Sequence, residues 1–154
     1  MSVKVNKKGD IMRTNTTARD HDRRVSELSR EECLRLLAGA GVGRVAFSTA
    51  SGPLIHPVNY VVDNDMIVIR TSPHAILGEH AVGPMAFEVD ELDATRGVGW
   101  SVLVVGTSAP VDDTEESIRL RGSQRLEPWA PGQRNLFLRI TPSEITGRRL
   151  SCAL

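Results

Sequence analysis

Helical and alternating periods succeed one another along this chain, and the switches between them mark its elements. Ser29-Arg30-Glu31-Glu32 has the form of a capping box, with Leu28 and Cys33 placed to staple it. Cys33, Leu34, Leu36 and Leu37 share one helical face before Gly39 and Gly41, so the spacing predicts a helix over 30–38. From Val42 the period becomes two. Strands are expected over 42–49, 54–62 and 66–71, the first pair joined at Ala50-Ser51-Gly52 and the second at Asp63-Asn64-Asp65. Ser72-Pro73 then reads as the cap and first residue of a short helix reaching about Ala81, ended by Gly83-Pro84. A strand follows over 85–91, then an acidic linker, Glu91-Leu92-Asp93. The strongly β-forming run Gly99–Gly106 extends toward Val111. Asp113 and Glu116 cap a second helix to about Leu126, Pro128–Gly132 forms a loop, and a strand over 135–141 is extended by Ile145–Leu150 after the Pro142 break.

Hairpins dominate this order and no regular βα alternation occurs, which argues against a doubly wound parallel sheet. The expectation is a mainly β, α+β fold: a six-stranded antiparallel barrel, closed or nearly so, with helices at its corners. Residues 1–27 are poor in large apolar side chains and read as a flexible arm, 28–150 as the single domain and 151–154 as a tail.

Composition narrows the function. Nineteen basic and nineteen acidic residues cancel, leaving no overall field to recruit nucleic acid or an anionic membrane. No apolar run approaches the roughly 20 residues a bilayer requires, and the N-terminus has no secretory apolar region. Cys33 and Cys152 stand far apart and form no metal-spaced motif. A cytoplasmic, reducing compartment fits this usage. Dinucleotide, Walker, zinc-protease and nucleophile-elbow motifs are all missing, and His74 and His80 miss the i, i+4 spacing of a helical metal pair. Any chemistry is therefore expected to come from a cofactor.

One junction does carry chemistry. If Asn64 and Asp65 are the two turn residues, Tyr60 lies across from Ile69 and Asn59 across from Arg70; a three-residue turn would set Val58 against Arg70 instead. In the first register, a guanidinium and the Thr71 and Ser72 hydroxyls meet the unpaired N–H groups of a helix start, an arrangement suited to phosphate. The plainer alternative is a solvated or ion-paired arginine beside a common Ser-Pro turn. Trp100, after the Gly97-x-Gly99 loop, suits the core, an interface or a pocket wall.

The succession GVGRVAF, HPVNYVV, IVIRTSP, MAFEVDELD, GWSVLVVGTS and ITGRRL resembles the pyridoxamine 5′-phosphate oxidase-like family of FMN-binding split barrels. Within that family it looks most like the actinobacterial branch related to nitroimidazole-resistance proteins, from about Leu28 to Leu150. The resemblance implies a homodimer with two FMN sites at the subunit interface. It sets Pro57, Val58, Asn59 and Tyr60 along the flavin ring, and Arg70, Thr71 and Ser72 at the ribityl chain and phosphate. Trp100 and Ser101 would close the site from the neighbouring subunit. Relatives usually continue this stretch with a glycine and then a lysine; here His74 and Ile76 hold those positions. An ammonium is thereby lost, and His74 can replace it only in part. The implied activity is that of a flavin-dependent oxidoreductase acting on a small molecule. The alternatives are a non-catalytic dimer that binds flavin, deazaflavin or haem as carrier or sensor, and a structural homologue without ligand.

Overall fold

The computed structural model describes residues 23–123, 126–127 and 131–152. Most of the expected N-terminal arm (1–22), residues 124–125 near the expected end of the second helix, the first three residues of the 128–132 loop and the last two residues lie outside this range. The element order is β1 (Arg23–Glu27), α1 (Arg30–Gly39), β2 (Val42–Thr49), β3 (Gly52–Asp63), β4 (Met66–Thr71), α2 (Ile76–Glu79), β5 (Gly83–Asp93), β6 (Val98–Pro110), α3 (Thr114–Arg121) and β7 (Leu136–Cys152). Every pairing is antiparallel, in the sheet order β1-β7-β4-β3-β2-β5-β6, and β6 also pairs with β7. Strands β2 to β7 therefore close into a ring, which removes their free edges. This is the split barrel expected from the sequence, with a seventh strand added outside the closed ring.

That seventh strand corrects the reading of the arm. Arg23–Glu27 pair with Arg148–Cys152, so one edge of β7 is shared by β4 at its start and β1 at its end. Between them Leu28 N–H donates to the Gly147 carbonyl (2.9 Å), and α1 packs against β7, β3 and β6. The expected staple takes part in this packing: a Cβ on Gly147 would come within 2.6 Å of the Cys33 sulfur and 3.0 Å of Leu28. Burial, helped by the neighbouring Glu32 charge, pushes the Cys33 thiol up, so it stays protonated and packs as a small apolar group.

Both predicted helix caps form. Asp113 accepts from Glu116 N–H, and Ser29 and Glu32 make the reciprocal box. Hydrogen bonds from the Ser29 backbone and hydroxyl, with Arg149 nearby, hold the Glu32 carboxyl below its ordinary range. A depressed carboxylate pKa stabilises the fold above the ordinary carboxylate range, and that contribution is lost as pH falls through the folded value. Glu32→Gln is therefore expected to melt below the parent protein at about pH 7, the gap closing by about pH 3. Thermal unfolding at the two pH values measures this; a gap unchanged with pH would contradict it.

The two-residue turn also forms. Asn64 and Asp65 both have positive φ (50° and 63°), and Tyr60 pairs with Ile69, Val61 with Val68 and Val62 with Ile67. The inward residues Tyr60, Val62, Ile67 and Ile69 meet Val45, Phe87, Val89, Val102, Val104, Leu138 and Ile140 in the main core. A second cluster (Val68, Val111, Leu120, Leu126, Phe137) lies under α3.

Three further boundaries differ from expectation. The stretch 91–93 continues β5 as a paired strand. Helix α3 ends at Arg121 with Gly122 as its cap. Strand β7 runs through Pro142 because a bulge between Val105 and Gly106 leaves Ser143 unpaired, and its hydroxyl donates to the Val105 carbonyl (3.0 Å). Among the described residues no helix is long and apolar enough to cross a membrane.

Candidate functional site

The barrel opens where β3 and β4 part. Their pairing stops at Tyr60–Ile69; beyond it Asn59 pairs only with Val42 of β2, and Arg70 and Thr71 pair only with Phe137 and Leu136 of β7. Asn59 and Arg70 are thus neighbours in sequence register without forming a ladder pair. Helix α2 and the segment before β7 border the opening, leaving a cleft of about 550 Å³, within the range of small-molecule sites.

Strand β3 supplies His56, Pro57, Val58 and Asn59, β4 supplies Arg70 and Thr71, and α2 with its cap supplies Ala75, Ile76 and Leu77; Val42, Leu126 and Arg134 complete the wall. The lining is largely apolar. Among the described residues its charged side chains are the two arginines, and no carboxylate joins them. Asn59 Nδ2 donates to the Glu127 carbonyl (2.6 Å), and Arg70 Nε donates to the Arg134 carbonyl (2.6 Å) while lying over the Phe137 ring at 5.6 Å. These bonds fix Glu127 and Arg134 against the strands. Thr71 is only 3% exposed, yet it lines the cleft.

The helix start differs from the sequence expectation. Helix α2 begins at Ile76 with Ala75 as its cap, which has no side-chain cap bond. Ser72 instead shapes the preceding turn, its hydroxyl accepting from His74 N–H (3.3 Å) and its carbonyl from Ala75 N–H (3.1 Å). The local Ser-Pro signal is overridden by packing: Gly78 sits so close beneath this turn that a Cβ there would lie 2.2 Å from the Ser72 carbonyl oxygen. At the other end of α2, His80 Nδ1–H donates to the Ile76 carbonyl (2.8 Å), and the Phe47 ring packs at a tilt against the His56 and His80 rings (centroids 5.7 and 5.5 Å).

Of the residues singled out in the sequence, Pro57, Val58, Asn59, Arg70 and Thr71 come together in the cleft. Ser72 and His74 lie in the adjoining turn, outside its lining. Tyr60 is 1% exposed, edge-on to Phe87 (4.7 Å), and its hydroxyl donates to the Leu37 carbonyl (2.5 Å), so it joins α1 to the core. Trp100 packs against the core cluster on β6, and Ser101 points to the opposite face of that strand. His56 and Arg134 were not singled out. His56 stands in the same strand as Pro57 and alternation could have flagged it, whereas Arg134 lies in an aperiodic stretch with no local signal.

The sequence profile described as pyridoxamine 5′-phosphate oxidase matches residues 29–149. An uncharacterised Mycobacterium tuberculosis protein, Rv0080, is 37% identical over 134 residues, covering 83% of this chain and 87% of the relative. Among solved structures, the chain is similar to a Corynebacterium glutamicum protein provisionally named a pyridoxamine 5′-phosphate oxidase: 34% identity, TM-score 0.68, 81% of this chain and 92% of the other. It is also similar to the FAD binding protein of Mycobacterium smegmatis: 30% identity, TM-score 0.64, 82% and 98% covered. The profile match, spanning α1 to the end of the barrel, together with these similarities in sequence and fold, shows that the chain belongs to the pyridoxamine 5′-phosphate oxidase family.

Proposed function

We propose that this chain is a flavin-binding, oxidoreductase-like protein that acts on a small molecule as a cytoplasmic homodimer. The observation that carries the reading is the cleft at the strand split, where, among the described residues, apolar walls meet two arginines and no acid. Val42, Val58, Ile76 and Leu77 suit a planar ring, Asn59 offers an amide, and the arginines suit phosphate oxygens. FMN is the cofactor proposed; the FAD carried by the M. smegmatis relative presents the same ring and a pyrophosphate. A bound flavin would supply hydride and one-electron transfer. The chain's own part is to hold the ring, fix the phosphate end and exclude water from one face.

The outer face of the sheet supports the dimer. Register aligns Ile55, Ala46, Ala86 and Val105 into one outward row across β3, β2, β5 and β6. The next row sets Leu103 and Pro57 at the two ends of an Arg44–Glu88 ion pair. Ile55, Leu103 and Val105 are 67%, 41% and 39% exposed, and Pro57 makes the row continuous with the cleft. A second copy would cover this surface and place its own β6, with Ser101, near the opening.

The test combines chromatography with light scattering and fluorescence titration by FMN and FAD, with deazaflavin and haem as further ligands. The expected result is a dimer whose titration quenches flavin emission at a defined stoichiometry. A monomer that leaves FMN and FAD emission unchanged at about millimolar ligand would sink the proposal.

A further inference from the structure

We infer that Arg134, paired with Arg70, forms the seat for the phosphate end of the ligand and supplies the positive charge that Ile76 does not. This deepens the flavin reading and rests on it for the identity of the ligand, though not for the anion chemistry.

Buried polar atoms in folded proteins nearly always find a partner. Among the described residues three side-chain atoms do not: Ser108 Oγ, Arg139 Nε and Arg134 Nε. Ser108 is fully buried and does not line the cleft. Arg139 has its charge met by Glu116 through Nη2. Arg134 differs from both. It lines the cleft, its Nε is buried without an acceptor, and no carboxylate among the described residues pairs with it. Its backbone carbonyl accepts from Arg70 Nε, which ties the two arginines to one point of the wall. An unpaired buried N–H costs free energy in the absence of an acceptor, and phosphoryl oxygens relieve that cost while meeting the charge of both arginines. Ile76, 40% exposed at the cleft, contributes no charge.

An unpaired buried N–H predicts a signature that a purely structural arginine would not give. Arg134→Met keeps the apolar stem and removes the unmet donor. The ligand-free variant is therefore expected to melt at or above the parent temperature while binding anions less well. Two readouts decide the matter. In the first, inorganic pyrophosphate at about millimolar concentration raises the melting temperature of the parent protein and fails to raise that of Arg134→Met. In the second, FMN binds Arg134→Met about ten- to a hundred-fold more weakly than the parent, whereas riboflavin, which lacks the phosphate, binds the two alike.

The inference is overturned if pyrophosphate leaves the parent melting temperature unchanged, if it protects the variant equally, or if FMN and riboflavin weaken together. A parent protein stabilised by pyrophosphate through Arg134, yet indifferent to every flavin, would support the anion seat and remove the flavin reading.

Discussion

Truncating Phe87 to alanine is expected to lower the unfolding free energy by about 3–5 kcal/mol, as for other large aromatic deletions from cores. Phe87 is fully buried on β5, stands edge-on to Tyr60 at 4.7 Å, and presses its ring into the notch left by Gly43 on β2. A Cβ on Gly43 would lie 2.2 Å from the ring edge and 3.1 Å from the Glu88 carbonyl oxygen. Gly43→Ala alone should therefore cost about 1–3 kcal/mol by overpacking. The two sites share one volume, so they should couple. Gly43→Ala placed on a Phe87→Leu background should cost less than on the parent, because the smaller side chain yields space. A urea-unfolding cycle measures the coupling, and strictly additive costs would show that glycine and ring do not share the notch.

Gly78→Ala is the second large effect, and it reaches the cleft. The atoms a Cβ would meet are backbone: the Ser72 carbonyl oxygen at 2.2 Å, Pro73 Cα at 2.9 Å and Pro73 C at 3.0 Å. A flexible side chain could swing aside, but a turn anchored between β4 and α2 cannot do so cheaply. A cost of about 2 kcal/mol or more is expected, a fall of several degrees in melting temperature for a domain of this size. Ligand affinity should fall with it, since the turn follows directly from Arg70 and Thr71. Gly39→Ala is the matched control: it ends α1 with nothing within 4 Å of the added carbon, and alanine's helix preference should leave stability unchanged or raised by up to about 1 kcal/mol. Equal melting temperatures for the two variants would refute the close approach beneath Ser72.

The contrast between these glycines reflects how the chain could be read. Signals carried within a few residues were legible: the Ser29–Glu32 box, the Asp113 cap and the Asn64-Asp65 turn, whose register then fixed which residues of β3 and β4 face the core. Asn59 and Arg70 could be brought to one place on that basis alone. Information held by distant packing was not legible. The start of α2 is decided by Gly78 against Ser72, so the Ser-Pro motif misleads. Strand β1 is exposed throughout and has Val25 as its one large apolar residue, so its pairing to β7 through main-chain hydrogen bonds leaves no hydrophobic period. The carbonyls of Glu127 and Arg134 that engage Asn59 and Arg70 are far away in sequence, in a stretch without a repeat.

Strand β7 sits beside β4, β6 and β1 at once, and this governs how the protein is made. On the ribosome, β2 to β6 emerge first, with the edges of β4 and β6 exposed until the residues after Leu136 arrive. Neither flank can be sealed early, because both await the same segment. Such distant pairing slows folding and leaves tacky borders on the nascent chain. The interval before β7 docks is therefore when this protein is most prone to aggregate and has most to gain from a chaperone.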